Sequence, residues 1–372
     1  MKTNILVMMG LISMAVSTAS SKEFESSQYE KITQLSGVPW GIETTSDDQL
    51  LITLRDGRVV MLNSDTGQVK PINGLPTIYS GGQGGLMDIV KSPQKPNEYF
   101  FTYAKPGADG DGGAPTLAKA TLDQHSLTDW QDIFTSNVMV TTGRHFGSRL
   151  VIQDDFIFMT IGDAGERENG QDTTTHAGTI IRLNLDGSIP DSNPFIANKK
   201  FQPEIYSYGH RNPQGIAYHP RTQQLWAIEH GPRGGDELNL IEKGQNYGWP
   251  ITSHGKEYWG PITVGEATEK EGIAAPKKVY IPSIAPGSLY IYPSQTFPRL
   301  EGKLLIGALK LTHINLLDVN QAGQVLEERR YYETLNERIR DITSDSKGAV
   351  WFSTDSGGIY TITRSNNVTQ TE

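Results

Sequence analysis

One short cadence returns six times along this chain, and that recurrence limits the fold more than any single motif. In the first unit Trp40-Gly41-Ile42-Glu43 precedes Gln49-Leu50-Leu51-Ile52-Thr53 and then Gly57-Arg58-Val59-Val60-Met61-Leu62, short strands broken by Asp-Asp and Asp-Gly turns. Similar units open at Gly85, Ser148, Gly215, Gly287 and Arg340, a period of roughly 45 to 70 residues that lies in the range of propeller blades. A unit of two or three short strands cannot bury both faces of its sheet. Stacking the units around an axis leaves only short, protected edges. The expected fold class is therefore all-β, a six-bladed β-propeller. A pair of β-sandwiches has similar strand spacing, but six related units favour the ring. No long segment carries apolar residues at i, i+3, i+4 and i+7, which argues against βαβ folds. The 39 glycines among 372 residues fit a turn-rich chain.

Linkers are not evident, so residues 21–372 are expected to form a single catalytic domain with ragged ends at 21–30 and 365–372. Residues 104–115 and 193–203, rich in turn formers, read as surface loops. The N-terminus reads as an address. Met1-Lys2-Thr3 is followed by an apolar run over residues 5–16 and by the small residues Ser17, Ala19 and Ser20, the pattern of a secretory signal peptide over residues 1–20. The run is shorter than the ~20 apolar residues of a membrane span, although a membrane anchor is the alternative. A periplasmic or secreted protein is expected. The chain has no cysteine, which excludes disulfides, thiolate catalysis, iron–sulfur clusters and cysteine zinc sites. Its net charge of −9 provides no overall positive field for nucleic acid or anionic lipid.

A propeller gathers its loops at the mouth of a central channel, so polar residues near unit starts are the candidates for function. His145, in Gly143-Arg144-His145-Phe146-Gly147, is placed to act as a general base, and Asp163, in Ile161-Gly162-Asp163, to orient its ring. A hydrogen-bonded structural histidine and a turn aspartate are the plainer readings. Arg211 and Asn212, in Gly209-His210-Arg211-Asn212-Pro213-Gln214-Gly215, offer a planar cation and a paired donor and acceptor, while His210 reads as a packed or capping residue. The run Gly231-Pro232-Arg233-Gly234-Gly235-Asp236-Glu237 combines turn carbonyls with carboxylates, the hard oxygen ligands that Ca²⁺ prefers; a charged hairpin turn would look the same. Lys310, Arg338 and Arg340 gather positive charge in an acidic chain, which suggests a polyanionic ligand or ordinary surface charge.

Taken together, these motifs resemble the soluble quinoprotein glucose dehydrogenases and, more closely, the aldose sugar dehydrogenases that use pyrroloquinoline quinone (PQQ). Further segments that carry the resemblance are Gly81-Gly82-Gln83-Gly84-Gly85-Leu86, Arg182-Leu183-Asn184-Leu185-Asp186-Gly187 and Asn246-Tyr247-Gly248-Trp249-Pro250. The resemblance implies a six-bladed propeller that oxidises aldoses at C1 to lactones. In it His145 would be the base, Asp163 its orienting partner and Arg211 the group that polarises the quinone oxygens. Gln83 and Asn212 would contact the cofactor, Lys310, Arg338 and Arg340 would neutralise its carboxylates, and Tyr258 would stack near it. One Ca²⁺ would use the Gly231 and Pro232 carbonyls. A second would use Glu237, the Tyr247 backbone carbonyl and Asp236. The implied partners are an aldose and an electron acceptor, with no nucleic acid and no membrane anchor, in a monomer or homodimer. The segments around the mouth look shorter than in glucose-specific enzymes, which implies broad aldose acceptance. Two other classes share the architecture: calcium-dependent lactonases, which need carboxylate and Asn ligands in the channel, and binding propellers without a base.

Overall fold

The computed structural model describes Phe24 and residues 27–46, 48–293 and 296–363. The signal-peptide reading of residues 1–20 and the C-terminal end at 365–372 lie outside them. Among the described residues, 24 strands form six four-stranded antiparallel sheets, each built from strands in sequence order except at the closure of the ring. The innermost strands are Pro39–Ser46, Leu86–Lys91, Leu150–Gln153, Pro213–His219, Pro286–Ile291 and Ile339–Ser344, and each falls at the start of a repeat unit. The six-bladed propeller is the observed fold. No described helix is long and apolar enough to cross a membrane.

The glycines that mark unit starts have a steric cause. Neighbouring innermost strands converge toward the axis. A Cβ on Gly215 would lie 2.4 Å from the Leu289 backbone nitrogen, and one on Gly287 would lie 2.6 Å from the Ile339 carbonyl oxygen. Only a residue without a side chain lets adjacent blades approach this closely. Farther out, apolar side chains fill the space between blades. Phe100 and Leu117 pack with Leu150, Ile157 and Met159 of the next blade, and Trp351 and Ile359 of the last blade pack with Ile42, Leu50 and Ile52 of the first. Each such fully buried side chain contributes about 1.5–3 kcal/mol. In a chain without disulfides, this burial holds the ring together.

The structure departs from the sequence reading in three places. Each blade has a fourth, outer strand; in Val69–Ile72 and Val325–Tyr331 its residues are mainly half-buried or exposed and carry no clear alternation. Part of the segment expected to be ragged is a strand: Gln28–Gln34 pairs antiparallel with Gly358–Thr363 from Gln28↔Thr363 to Gln34↔Gly358. The N-terminal end of the ring thereby completes the last blade and joins both ends through backbone hydrogen bonds. Residues 104–115 are not a loop throughout. Glu98–Pro106 and Gly113–Asp123 pair as far as Pro106↔Gly113, leaving a short turn over 107–112. Ala104 is also tied to Gly85 and Tyr79 by backbone bonds of 2.8 and 2.9 Å, which extends the strand past the turn-forming composition. Residues 193–203 do run outside regular strands, pinned by Asn193 and by the stacked rings of Phe195 and Phe201.

All six blades meet on the Arg149 guanidinium. Nη1 donates to Asp88 Oδ1 at 3.1 Å and Asp341 Oδ1 at 2.9 Å, Nη2 to the carbonyls of Gly287 at 2.5 Å and Arg340 at 2.9 Å, and Nε to the Gln214 carbonyl at 2.9 Å. Its face lies 4.0 Å from the Trp40 ring centroid. Arginine has five N–H donors in a fixed fork, and all five are used here. This plug divides the channel into two mouths. One is walled by Glu43, Tyr218, Tyr290 and Thr343, the other by Trp40, Gln83, Arg338 and Arg340.

Candidate active site at one mouth of the channel

His145 lies on the loop entering the third blade, in a left-handed backbone conformation with φ of 63°. Its backbone N–H is held by Gln83 Oε1 at 2.8 Å. These constraints turn the ring toward Asp163, whose Oδ1 lies 2.6 Å from His145 Nδ1. Asp163 is buried and accepts two further hydrogen bonds, from Gly165 N at 2.8 Å on Oδ1 and from Trp249 Nε1 at 2.8 Å on Oδ2. With the carboxylate as acceptor, Nδ1 carries the imidazole hydrogen and Nε2 presents a lone pair. Burial draws the His145 imidazole below its ordinary value of 6.5. The Asp163 hydrogen bond opposes that shift, and the charges of Arg211 and Arg144 add to it. Its burial thus favours the neutral form of the ring.

Arg211 stands beside this pair. Its backbone nitrogen donates to Glu229 Oε2 at 2.7 Å, while Nη1 donates to the carbonyls of His230 at 3.2 Å and Gly231 at 2.9 Å. Its guanidinium lies over the Trp249 ring, 5.3 Å from the centroid. Glu229 also accepts from His210 Nδ1 at 2.9 Å, and His210 Nε2 lies 2.9 Å from Ser207 Oγ. Ser207, His210 and Glu229 thus line up in the order of a hydrolase triad. All three are buried, however, with Ser207 and His210 at 0% exposure, so no substrate reaches the serine and the chain serves to brace Arg211.

The mouth contains about 570 Å³ of open space lined by Trp40, Arg55, Gln83, Phe146, Gly147, Asn212, Gln214, His230, Arg338, Arg340 and Asp355 among others. Gln83, Asn212, Arg338 and Arg340 are thus brought together on one cavity, which His145 borders through its neighbours Phe146 and Gly147. Arg340 is buried and chelates Asp355 through Nε at 2.7 Å and Nη2 at 3.0 Å; the half-exposed Arg338 reaches the same carboxylate at 2.8 Å. Burial, offset by Asp355, holds the Arg340 guanidinium below its ordinary range. His230 Nε2 donates to the Pro286 carbonyl at 2.6 Å, and burial drives its imidazole to about 3. Lys310 is not in this lining. The strand expected to run to residue 309 ends at Ala308, and Lys310 lies exposed in the following turn, beside the Leu309 carbonyl that accepts from Arg338. Tyr258 is also elsewhere, 68% exposed on the segment between Asp236–Ile241 and Lys278–Tyr280.

Of the expected calcium residues, Gly231, Pro232, Glu237 and Tyr247 line a smaller adjoining space that also holds Arg211, Glu229 and Trp249. Glu237 faces Glu229 across paired strands. Burial first, and then the Glu229 charge, pushes its carboxyl well above 4.5. Asp236 is engaged differently: its two oxygens accept from Gly231 N and Ala285 N at 2.9 and 2.7 Å. The Gly231 carbonyl accepts from Arg211 Nη1 at 2.9 Å. Tyr247 is buried, its hydroxyl bonded to the Leu240 carbonyl and its ring stacked on His210. Among the described residues, no three His, Asp or Glu side chains cluster as a ready metal cage.

Reading the sequence did not single out Arg55, Trp40, Gln214, His230, Asp355 or the Trp249 side chain as parts of this site. Arg55 precedes an Asp-Gly turn and Asp355 follows a strand, positions that look like ordinary surface charge until the ring closes.

A profile described as glucose/sorbosone dehydrogenase matches residues 36–361. The aldose sugar dehydrogenase YliI of Escherichia coli is 37% identical over 325 residues, 85% of this chain and 87% of that protein. Quinoprotein glucose dehydrogenase B of Acinetobacter calcoaceticus is 34% identical over 241 residues, 57% of this chain and 49% of that protein. The crystal structure of the soluble aldose sugar dehydrogenase from Escherichia coli in its apo form superposes with a TM-score of 0.86 at 33% identity, covering 91% of this chain and all of that one. A propeller with an imidazole–carboxylate pair at a cationic channel mouth is thus built on the scaffold of those dehydrogenases. The chain belongs to the glucose/sorbosone dehydrogenase family and is an oxidoreductase.

Proposed function

We propose that this protein is an exported quinoprotein that oxidises aldoses at C1 to lactones, with PQQ seated in the cavity lined by Arg338 and Arg340. The observation that carries the reading is the pairing of His145 with Asp163 beside Arg211, at the edge of a cavity rich in guanidinium and amide groups. Arg55, Arg338, Arg340, Gln83, Asn212 and Gln214 line it, with Asp355 as the lone carboxylate lining it. In a chain of net charge −9, such a donor set fits a flat polycarboxylate. When bound, PQQ supplies the two-electron acceptor that takes up the C1 hydride.

The chain's own residues do the rest. His145 Nε2 receives the proton of the C1 hydroxyl as the separate hydrogen bound to C1 leaves with its electron pair, and Asp163 stabilises the resulting imidazolium through Nδ1. Arg211, fixed by two carbonyls and the Trp249 face, places a permanent positive charge where negative charge develops. Arg338 and Arg340 bind carboxylate groups and orient them. For Ca²⁺, the Glu237 carboxylate, the Tyr247 carbonyl and the Thr252 and Ser253 hydroxyls line the smaller space and fit a hard cation, whose charge would relieve both causes of the raised Glu237 carboxyl. Short segments around the mouth support activity on a range of aldoses, and the N-terminal apolar run supports export to the periplasm.

The test is direct. The chain loaded with PQQ and Ca²⁺ should bleach an artificial electron-acceptor dye when an aldose is added, and His145→Ala should not. Cleavage of a lactone without dye reduction would move the assignment to a hydrolase.

A further inference from the structure

Trp249 links the two halves of this site through one side chain, which the base pair and Arg211 share. It is 7% exposed. Its indole N–H donates to Asp163 Oδ2 at 2.8 Å, while Oδ1 of the same carboxylate serves His145. Its ring face seats the Arg211 guanidinium. The indole is itself clamped: Trp249 N donates to the Gly209 carbonyl at 2.8 Å, and Gln171 Nε2 donates to the Trp249 carbonyl at 2.8 Å. Gly170 packs so closely that a Cβ there would lie 2.5 Å from the Trp249 carbonyl oxygen and 2.7 Å from the ring carbon Cδ1.

A carboxylate held by one oxygen alone can rotate about its Cβ–Cγ bond and loosen its grip on the imidazole. Holding the second oxygen removes that freedom, and the rigid ring fixes the guanidinium at a set distance from the base. We propose that Trp249 is a positioning residue: its N–H edge orients Asp163, and through it His145, while its face seats Arg211, so that base and cation are kept in register by one side chain. This rests on the reading of His145 as the base. The charged and titratable groups that face His145 are Asp163 and Arg144 from its own blade and Arg211 and His230 from the next.

Trp249→Phe keeps the ring face and removes the donor. In the full chain loaded with PQQ and Ca²⁺, kcat/KM for an aldose should fall about tenfold or more, mostly in kcat, with cofactor affinity nearly unchanged. In the cofactor-free full chain, nitrogen NMR should show the His145 imidazole titrating about half a unit or more lower than in the parent, because a carboxylate free to turn away stabilises the imidazolium less. The His145 signal is assigned by its loss in His145→Ala. If Trp249→Phe does not fold, the parent chain alone decides: the Trp249 indole N–H resonance should move with the His145 titration midpoint. An unchanged His145 titration in Trp249→Phe, or an indole resonance that ignores it in the parent, would overturn the proposal. Full activity of loaded His145→Ala would instead overturn the base assignment, leaving the titration result to stand or fall separately.

Discussion

Replacing Arg149 with leucine should weaken the whole ring, because this one guanidinium, carried by the third blade, is bonded to four other blades and stacked on the remaining one. The substitution leaves Asp88 and Asp341 buried within reach of each other without a cation, and it strips the donors from the Gln214, Gly287 and Arg340 carbonyls. Breaking a buried ion pair by removing one partner costs about 3–5 kcal/mol. Unfolding entropy of roughly 2.1 cal/mol/K per residue gives a ring of this size about 0.7 kcal/mol/K, so the melting temperature should fall by about 4–7 °C. The loss should depend on pH. In the parent, burial already raises both carboxyls, Asp341 to about 7, against the opposing pull of Arg149. Without Arg149 they rise further, so the native state binds protons that the unfolded state, titrating near 3.8, does not. Stability of the variant should therefore fall as pH rises from about 4 toward 8, and Arg149→Leu should recover part of its loss when acidified. Urea and thermal unfolding at pH 5 and pH 8 measure both effects. A loss below about 1 kcal/mol, or one equal at the two pH values, would refute the view that the guanidinium is the shared key of the ring.

Other outcomes follow from the site. His145→Ala should lower kcat by about 10²–10⁴ while leaving the fold intact, read by steady-state kinetics and a thermal melt. Burial holds the His145 imidazole below its ordinary 6.5. The acidic limb of kcat/KM for the parent should accordingly have its midpoint below that value. Ca²⁺ at 100 times its Kd should add about 2.7 kcal/mol, a melting shift of about 4 °C by the same entropy. That shift should vanish in Glu237→Gln and shrink as pH falls, since the raised Glu237 carboxyl takes up the proton that competes with the metal. Arg338→Ala, at a half-exposed position, should weaken PQQ binding roughly tenfold with little effect on kcat, as titration of the cofactor against the apoprotein would show.

Much of this architecture was readable from local pattern. The innermost strands announced themselves because the axis demands glycine at Gly215 and Gly287 and apolar residues just after them, features that survive in a one-dimensional string. His145 and Asp163 were readable as a pair because both sit where a strand meets a loop of the same blade. The outer strands and the closing strand Gln28–Gln34 were not, since a half-exposed edge strand needs no regular alternation. Lys310 and Tyr258 show the converse. Residue type and motif suggested the cavity, yet a strand that ends one residue early leaves Lys310 exposed, and Tyr258 lies on an exposed segment.

By itself the sequence determined how many blades form, where each blade opens, and that the acidic chain carries a minority of cations near unit starts. Which cation meets which anion was decided only by closure of the ring. Arg149 finds Asp88 61 positions away and Asp341 192 away, and Trp249 finds Asp163 across 86. Strand periodicity is a property of neighbours along the backbone, whereas partners across the axis depend on the sum of every blade's rotation about it, and no stretch of sequence short of the whole contains that sum.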